Sequence, residues 1–265
     1  MGRIQIFLTF DVDGETLWLS RDKVNPVGPV MLSQGAYGPK VAVPRILELL
    51  KEYGIKSTFF VPGWTAERYG GMCESILRGG HEVAHHGYLH EWPNRTPAKE
   101  ERESFLRAHR LLEKITGHAP VGYRAPGWEF SEITLDLLLE FGFLYSSNMM
   151  DSNTIYEHTR DGKPTGLIEL PVSWDLDDAA FFMFGLTTSG YAIANARQVE
   201  EIWVDEFEGL LAEDNNNVYV LTLHPQIIGR PSRLMMLERL IKHMRRKSGA
   251  RFLTCQEAAR QYKQA

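Results

Sequence analysis

The chain has 265 residues, 43% of them hydrophobic, and 29 basic against 34 acidic side chains give a net charge of -5. That length accommodates one large α/β domain or two small ones and buries a substantial core. Acids and bases are interspersed with no long basic run, which argues against nucleic acid or an anionic membrane as partner. Two cysteines, Cys73 and Cys255, lack CxxC spacing and are too few for a disulfide framework, which fits a reducing compartment. No apolar stretch reaches the roughly twenty residues that span a bilayer. The N-terminus runs into a strand with no apolar leader segment, so a cytoplasmic location is expected.

Strand-length apolar runs alternate with helical patterns along the chain. Ile4 to Phe10 is apolar, β-branched and aromatic, reads as a buried strand, and ends on Asp11-Val12-Asp13. The Gly/Pro-rich stretch Val24 to Pro39 is too long for a simple connection and is expected to be an active-site loop. Val41 to Tyr53 carries Val43, Ile46, Leu47, Leu49 and Leu50 on one helical face, closed by Gly54. Ser57 to Val61 is a second strand, Ala66 to Arg78 a helix, and Glu82 to Ala84 a short strand delivering His85 and His86. Thr96 to Thr116 is a long charged helix, followed by a strand at Gly122 to Ala125. Ser131, as N-cap, opens a helix to Phe141 that Gly142 ends. Leu144 to Ser147, Ile168 to Val172 and Val218 to Leu223 are strands, with a helix at Ala196 to Ala212; a helix at Arg233 to Arg246 precedes a terminal strand at Arg251 to Leu253.

Repeated β-then-α units imply a parallel sheet, and about seven of them imply a distorted (β/α) barrel, with a doubly wound open sheet as the alternative. No linker composition interrupts the chain, so residues 1–265 are expected to form a single domain. In either architecture chemistry lies at the carboxyl ends of the strands, where Asp11, Asp13, His86, Arg124 and His224 all fall. An unpaired carboxylate is costly to desolvate, so Asp11 and Asp13 must meet water, a cation or substrate. His86 and His90 are four apart, which puts both imidazoles on one face of a helical turn, able to share a tetrahedral Zn2+ with a carboxylate oxygen. Either motif alone also reads as solvated loop residues; their order and the downstream matches join them.

These residues resemble the polysaccharide deacetylase family (NodB homology, carbohydrate esterase 4-like). Thr9-Phe10-Asp11-Val12-Asp13 stands where the family has T-F-D-D, and His86 to His90 where it has H-[ST]-x-x-H. Arg124-Ala125-Pro126 matches R-x-P, and Leu221-Thr222-Leu223-His224 matches L-x-L-H. Trp174-Asp175-Leu176-Asp177-Asp178 stands loosely for an Asp/Trp motif. The resemblance implies a metal-dependent hydrolase of a C–N amide bond, with Asp13, His86 and His90 as ligands of Zn2+, or of Co2+ or another divalent ion. It implies Asp11 as base, Arg124 as the partner holding that base, His224 as acid, and an oxyanion site at the Gly127 backbone N–H. Trp18, Trp128 and Trp174 are read either as core or as substrate walls. Asp175 either orients His224 or caps a turn.

Val12 and Gly87 depart from the family spelling and are closer to its intracellular branch, which includes a peptidoglycan deacetylase homologue and allantoinase-like and imide-hydrolysing members. The expected substrate is an N-acetylated sugar or peptidoglycan-like saccharide. A small cyclic amide or imide is the alternative, and a non-catalytic metal- or carbohydrate-binding module a third. The stretches Asp22 to Lys40 and Tyr156 to Leu167 are expected to cover the mouth of the site, and a homo-oligomer is compatible with that arrangement.

Overall fold

The computed structural model describes residues 3–20, 27–183 and 193–264. Strands β1 (Ile4–Asp11), β2 (Thr58–Val61), β3 (Glu82–His85), β4 (Gly122–Tyr123), β5 (Tyr145–Ser146), β6 (Tyr156–Arg160), β7 (Lys163–Glu169), β8 (Asn217–Leu223) and β9 (Ala250–Phe252) join in one sheet. Its order is β6-β7-β5-β4-β3-β2-β1-β8, and β9 pairs with β1. Every pairing is parallel except β6 with β7.

β1 is central. On one side β8 pairs with it from Ile4 to Phe10; elsewhere along it β9 takes Ile4 to Ile6 and β2 takes Thr9 to Asp11. Such a strand is covered on both faces, which is why its sequence is a nearly continuous apolar run rather than an alternating one. Past β7, Asp177 makes a parallel bridge to Thr222 of β8, so the sheet curls until its two sides meet. This is the expected distorted barrel of about seven parallel strands, β1 to β5 with β7 and β8. Helices Val43–Glu52, Gly70–Arg78, Ala196–Ala212 and Pro231–Arg245 bury Ile46, Leu50, Ile76, Trp203, Phe207, Leu237 and Leu240 against it.

Several expectations change. Residues 24–26 of the anticipated active-site loop, like Asp22, lie outside the described residues, but Pro29–Tyr37 is a helix, with proline in its first turn where no N–H is needed. It runs through a π-helical turn, Gly38–Ala42, into the Val43–Glu52 helix. The single helix expected from Ala66 to Arg78 is two, Gly63–Arg68 and Gly70–Arg78, broken at Tyr69 with φ -124° and ψ 44°. Tyr156 to Leu167 is not a mouth loop: it is the β6–β7 hairpin, turned by Asp161 and Gly162 at φ 51° and 73°. Asp-Gly is the preferred pair for a two-residue hairpin turn, so this signal was present in the sequence. Cys255–Gln264 adds an unanticipated final helix, and both cysteines are buried free thiols. Among the described residues no helix is long and apolar enough to cross a membrane.

Candidate functional site

The site starts at the carboxyl end of β1. Side chains alternate along an extended chain, so Val12 enters the core, wholly buried, while Asp11 and Asp13 share the opposite side. The residue inserted in the Asp-x-Asp spelling is what that alternation requires. Gly14, at φ +60°, turns the chain, and the Asp13 carbonyl accepts hydrogen bonds from Thr65 Oγ1 (2.8 Å) and Thr16 Oγ1 (2.7 Å).

β3 delivers two histidines to different destinations. His85 sits among Phe105, Tyr123 and Phe143, donates from Nε2 to the Phe105 carbonyl (3.1 Å) and accepts the Gly87 N–H at Nδ1 (3.2 Å). Burial depresses its pKa to about 3, so it is a neutral structural residue. His86 points the other way and donates from Nδ1 to the Arg124 carbonyl (2.7 Å), which leaves the Nε2 lone pair facing Asp13. The segment after it is not the helical turn expected from the four-residue spacing. It is a loop with Gly87 at φ 69° and His90 at φ 60°, and that double left-handed bend brings the second imidazole back to the first. Asp13 Oδ1 is 3.4 Å from His86 Nε2 and 3.7 Å from His90 Nε2.

Two further groups flank this trio. Arg124 is fully buried; it donates from Nη1 to Asp11 Oδ1 (2.8 Å) and Thr9 Oγ1 (2.8 Å), and from Nε and Nη2 to the carbonyl and hydroxyl of Ser147. Its guanidinium also lies 4.2 Å from the Phe60 ring centroid. Asp11 is thereby fixed with Oδ2 3.8 Å from His86 Nε2. On the other flank His224 Nε2 stands 3.7 Å from Asp13 Oδ2, while its Nδ1 is 2.7 Å from Asp178 Oδ1 and 3.7 Å from Asp177 Oδ1. Burial alone would lower the pKa of His224, but Asp177, Asp178 and Asp13 outweigh it and hold the imidazole well above its ordinary value.

The residues present fit a divalent cation. One ligand atom from each of Asp13, His86 and His90 lies within 4.8 Å of the others, and all three side chains are buried. Both carboxylate oxygens of Asp13 are buried without a hydrogen-bond partner. A buried carboxylate left this way needs a compensating charge. Burial raises its pKa, and the fields of His90, His86 and His224 reverse that, leaving it well below the usual carboxylate range. Asp177, Asp178 and His224 form a second compact group of the same kind, but there Asp178 is occupied by the backbone N–H and Nδ1 of His224.

The remaining sequence candidates are scattered. Gly127 and Trp128 form a strained turn, both at positive φ (70° and 60°), and a Cβ on Gly127 would lie 2.9 Å from the Trp92 ring. Trp174 lies against Trp128 with centroids 4.3 Å apart and the rings tilted by 35°, and is 51% exposed, so it is a surface residue rather than core. Trp18 is half-buried in the one-turn helix Thr16–Leu19. Asp175 is exposed and bound to Ser173 in a turn, and the carboxylate that orients His224 is Asp178. Sequence reasoning missed Asp178, Thr9, Ser147 and Trp92. The Asp-rich motif marked the segment that holds Asp178, but not which of its acids faces His224.

The family pattern described as polysaccharide deacetylase matches residues 28–146, which include His86, His90 and Arg124. The peptidoglycan deacetylase of Helicobacter pylori is 33% identical over 94% of this chain and 92% of its own. A crystal structure from Mycobacterium smegmatis, assigned to the polysaccharide deacetylases, superimposes with a TM-score of 0.92 at 38% identity, covering 99% of this chain and 91% of that one. The Puue allantoinase superimposes with a TM-score of 0.82 at 26% identity, covering 100% and 91%. The chain belongs to the polysaccharide deacetylase family. Its curled, parallel-rich sheet is the NodB-type distorted barrel of those enzymes.

Proposed function

We propose that this protein is a metal-dependent amide hydrolase that removes acetyl groups from an N-acetylated sugar of the peptidoglycan type. The observation that carries the reading is Asp13: a buried carboxylate with both oxygens unbonded, set among three imidazoles, with Arg124-held Asp11 on one side and Asp178-held His224 on the other. The 33% identity to a peptidoglycan deacetylase over nearly the whole chain supports the substrate class.

Asp13, His86 and His90 would hold the ion, and a carboxylate with two imidazoles suits Zn2+. When bound, such an ion supplies Lewis acidity, lowering the pKa of water and polarising an amide carbonyl. Asp11 accepts the proton of the attacking water, its carboxylate held in one orientation by Arg124. Gly127, lacking a side chain, lets its backbone N–H approach the oxygen on which charge develops. His224, held through Nδ1 by Asp178 and raised above its ordinary pKa by the neighbouring carboxylates, donates a proton to the leaving nitrogen as the C–N bond breaks. The exposed face of Trp174, backed by Trp128, offers a stacking surface for a sugar ring.

The allantoinase likeness favours one second reading, hydrolysis of a small cyclic amide at the same site. A panel of N-acetylglucosamine oligomers, peptidoglycan fragments, allantoin and succinimide separates the two. Acetate release from the acetylated saccharides, abolished by a chelator and restored by Zn2+ or Co2+, is expected. Ring opening without acetate release would replace the first reading by the second, and a lack of any chelator-sensitive hydrolysis would sink both.

A further inference from the structure

Behind the Arg124 turn lies a buried polar group that the mechanism above does not use. Asn148, 1% exposed, follows β5 at the carboxyl end of the sheet, and its Oδ1 accepts the Ala125 N–H at 2.7 Å. Ala125 is the residue between Arg124, which holds Asp11, and the Pro126-Gly127 turn. Asn148 is itself clamped: its backbone N–H donates to Glu169 Oε1 at 2.6 Å, and the Met149 N–H donates to the same oxygen at 2.9 Å. Glu169 is fully buried at the end of β7, and its other oxygen takes the Ser146 hydroxyl and His158 Nε2, the latter at 2.7 Å. His158 comes from β6, so the antiparallel hairpin that extends the sheet ends in this network.

We infer that Asn148 is a positioning residue: through the Ala125 N–H it sets Arg124 on one side and Gly127 on the other, and Glu169 with His158 fixes Asn148. The inference rests on the functional reading above for what Arg124 and Gly127 do, but the linkage is geometric. Ala125 is 0% exposed, so its N–H needs an internal acceptor, and Asn148 Oδ1 is that acceptor. Without it the segment is free to shift, and misplacement of a catalytic group by about 1 Å costs on the order of a hundredfold in rate.

The role assigns the work to Oδ1, because Nδ2 is buried with no partner. Asn148→Asp keeps an acceptor at that place and loses the NH2; Asn148→Ala loses both. The experiment compares both variants with wild type in turnover on acetylated saccharides and in hydrogen exchange of the Ala125 amide. Asn148→Ala is expected to lower kcat about tenfold to a hundredfold with KM within about twofold, and to speed Ala125 exchange without a matching fall in Tm. Asn148→Asp is expected to restore both readouts most of the way. Unchanged Ala125 exchange in Asn148→Ala would overturn the inference. So would Asn148→Asp failing as badly as Asn148→Ala with raised KM, since that result assigns the work to Nδ2 and the substrate. If wild type hydrolyses nothing on the panel, the functional reading fails, and the exchange comparison still decides the linkage.

Discussion

Asp11 and Asp13 are two residues apart and differ in their closest partners: a hydrogen-bonded guanidinium for the first, imidazoles for the second. Their substitutions therefore separate. Asp13→Ala is expected to abolish stoichiometric metal binding, whereas Asp11→Asn keeps the metal and loses about a hundredfold to ten-thousandfold in kcat. Metal content of the purified variants beside their turnover is the check, and full activity in Asp11→Asn would remove the base from the mechanism. The pair was legible in the sequence because a strand end is a poor place to bury carboxylates. Asp178 was not, because three acids within four residues, Asp175, Asp177 and Asp178, give no hint of which one faces inward. That is set by a short helix whose N-cap is Asp177, which accepts the Ala179 N–H.

The elements around the site act through close backbone contact. Gly35, on the Pro29–Tyr37 helix, has no room for a side chain: a Cβ there would lie 2.4 Å from the Gly14 carbonyl oxygen and 2.8 Å from Glu15 Cα. Backbone on both sides does not give, so Gly35→Ala must push the helix off the loop that follows Asp13. A loss of about 1–3 kcal/mol in stability and weaker metal binding are expected, although Gly35 touches no ligand. Urea unfolding and metal titration measure both; a variant unchanged in either would show that the helix slides freely. A Gly/Pro-rich composition alone suggested a loop at this place, because nothing local reveals that a glycine serves helix docking rather than chain flexibility. The bend from Gly87 to His90 was equally hidden. Its glycine permits positive φ, but His90 adopts that region only because its surroundings hold it there. The regular elements were read well, since the period of buried residues carries through from Val43–Glu52 to Pro231–Arg245.

At the scale of the whole molecule, buried histidines tie stability to pH. Burial lowers His85 from 6.5 to about 3 and His81 from 6.5 to about 4. Both are neutral in the folded chain and take up protons on unfolding below pH 6.5. Their contribution is complete above that value and is lost as pH falls through the window toward about 3. For fully buried His85 the slope approaches about 1.4 kcal/mol per pH unit. These two histidines lower the urea midpoint between pH 7 and pH 5, against Asp177, whose carboxyl burial raises to about 7, and removing one of them in His85→Gln should lessen the loss of stability over that window relative to wild type; equal slopes would contradict it. The central place of β1 acts over longer range. Thr9 of the first strand hydrogen-bonds Leu221 of β8 across 212 residues of chain, and β9 comes later still. Contacts that distant in sequence form slowly. During synthesis β2 follows β1 soon enough to pair with Thr9 to Asp11, but the edge that β8 will take stays bare until that strand is made. β1 to β5 pair in the order in which they are made, whereas β8 comes late to β1, which makes that open edge of β1 the place most in need of protection from other chains.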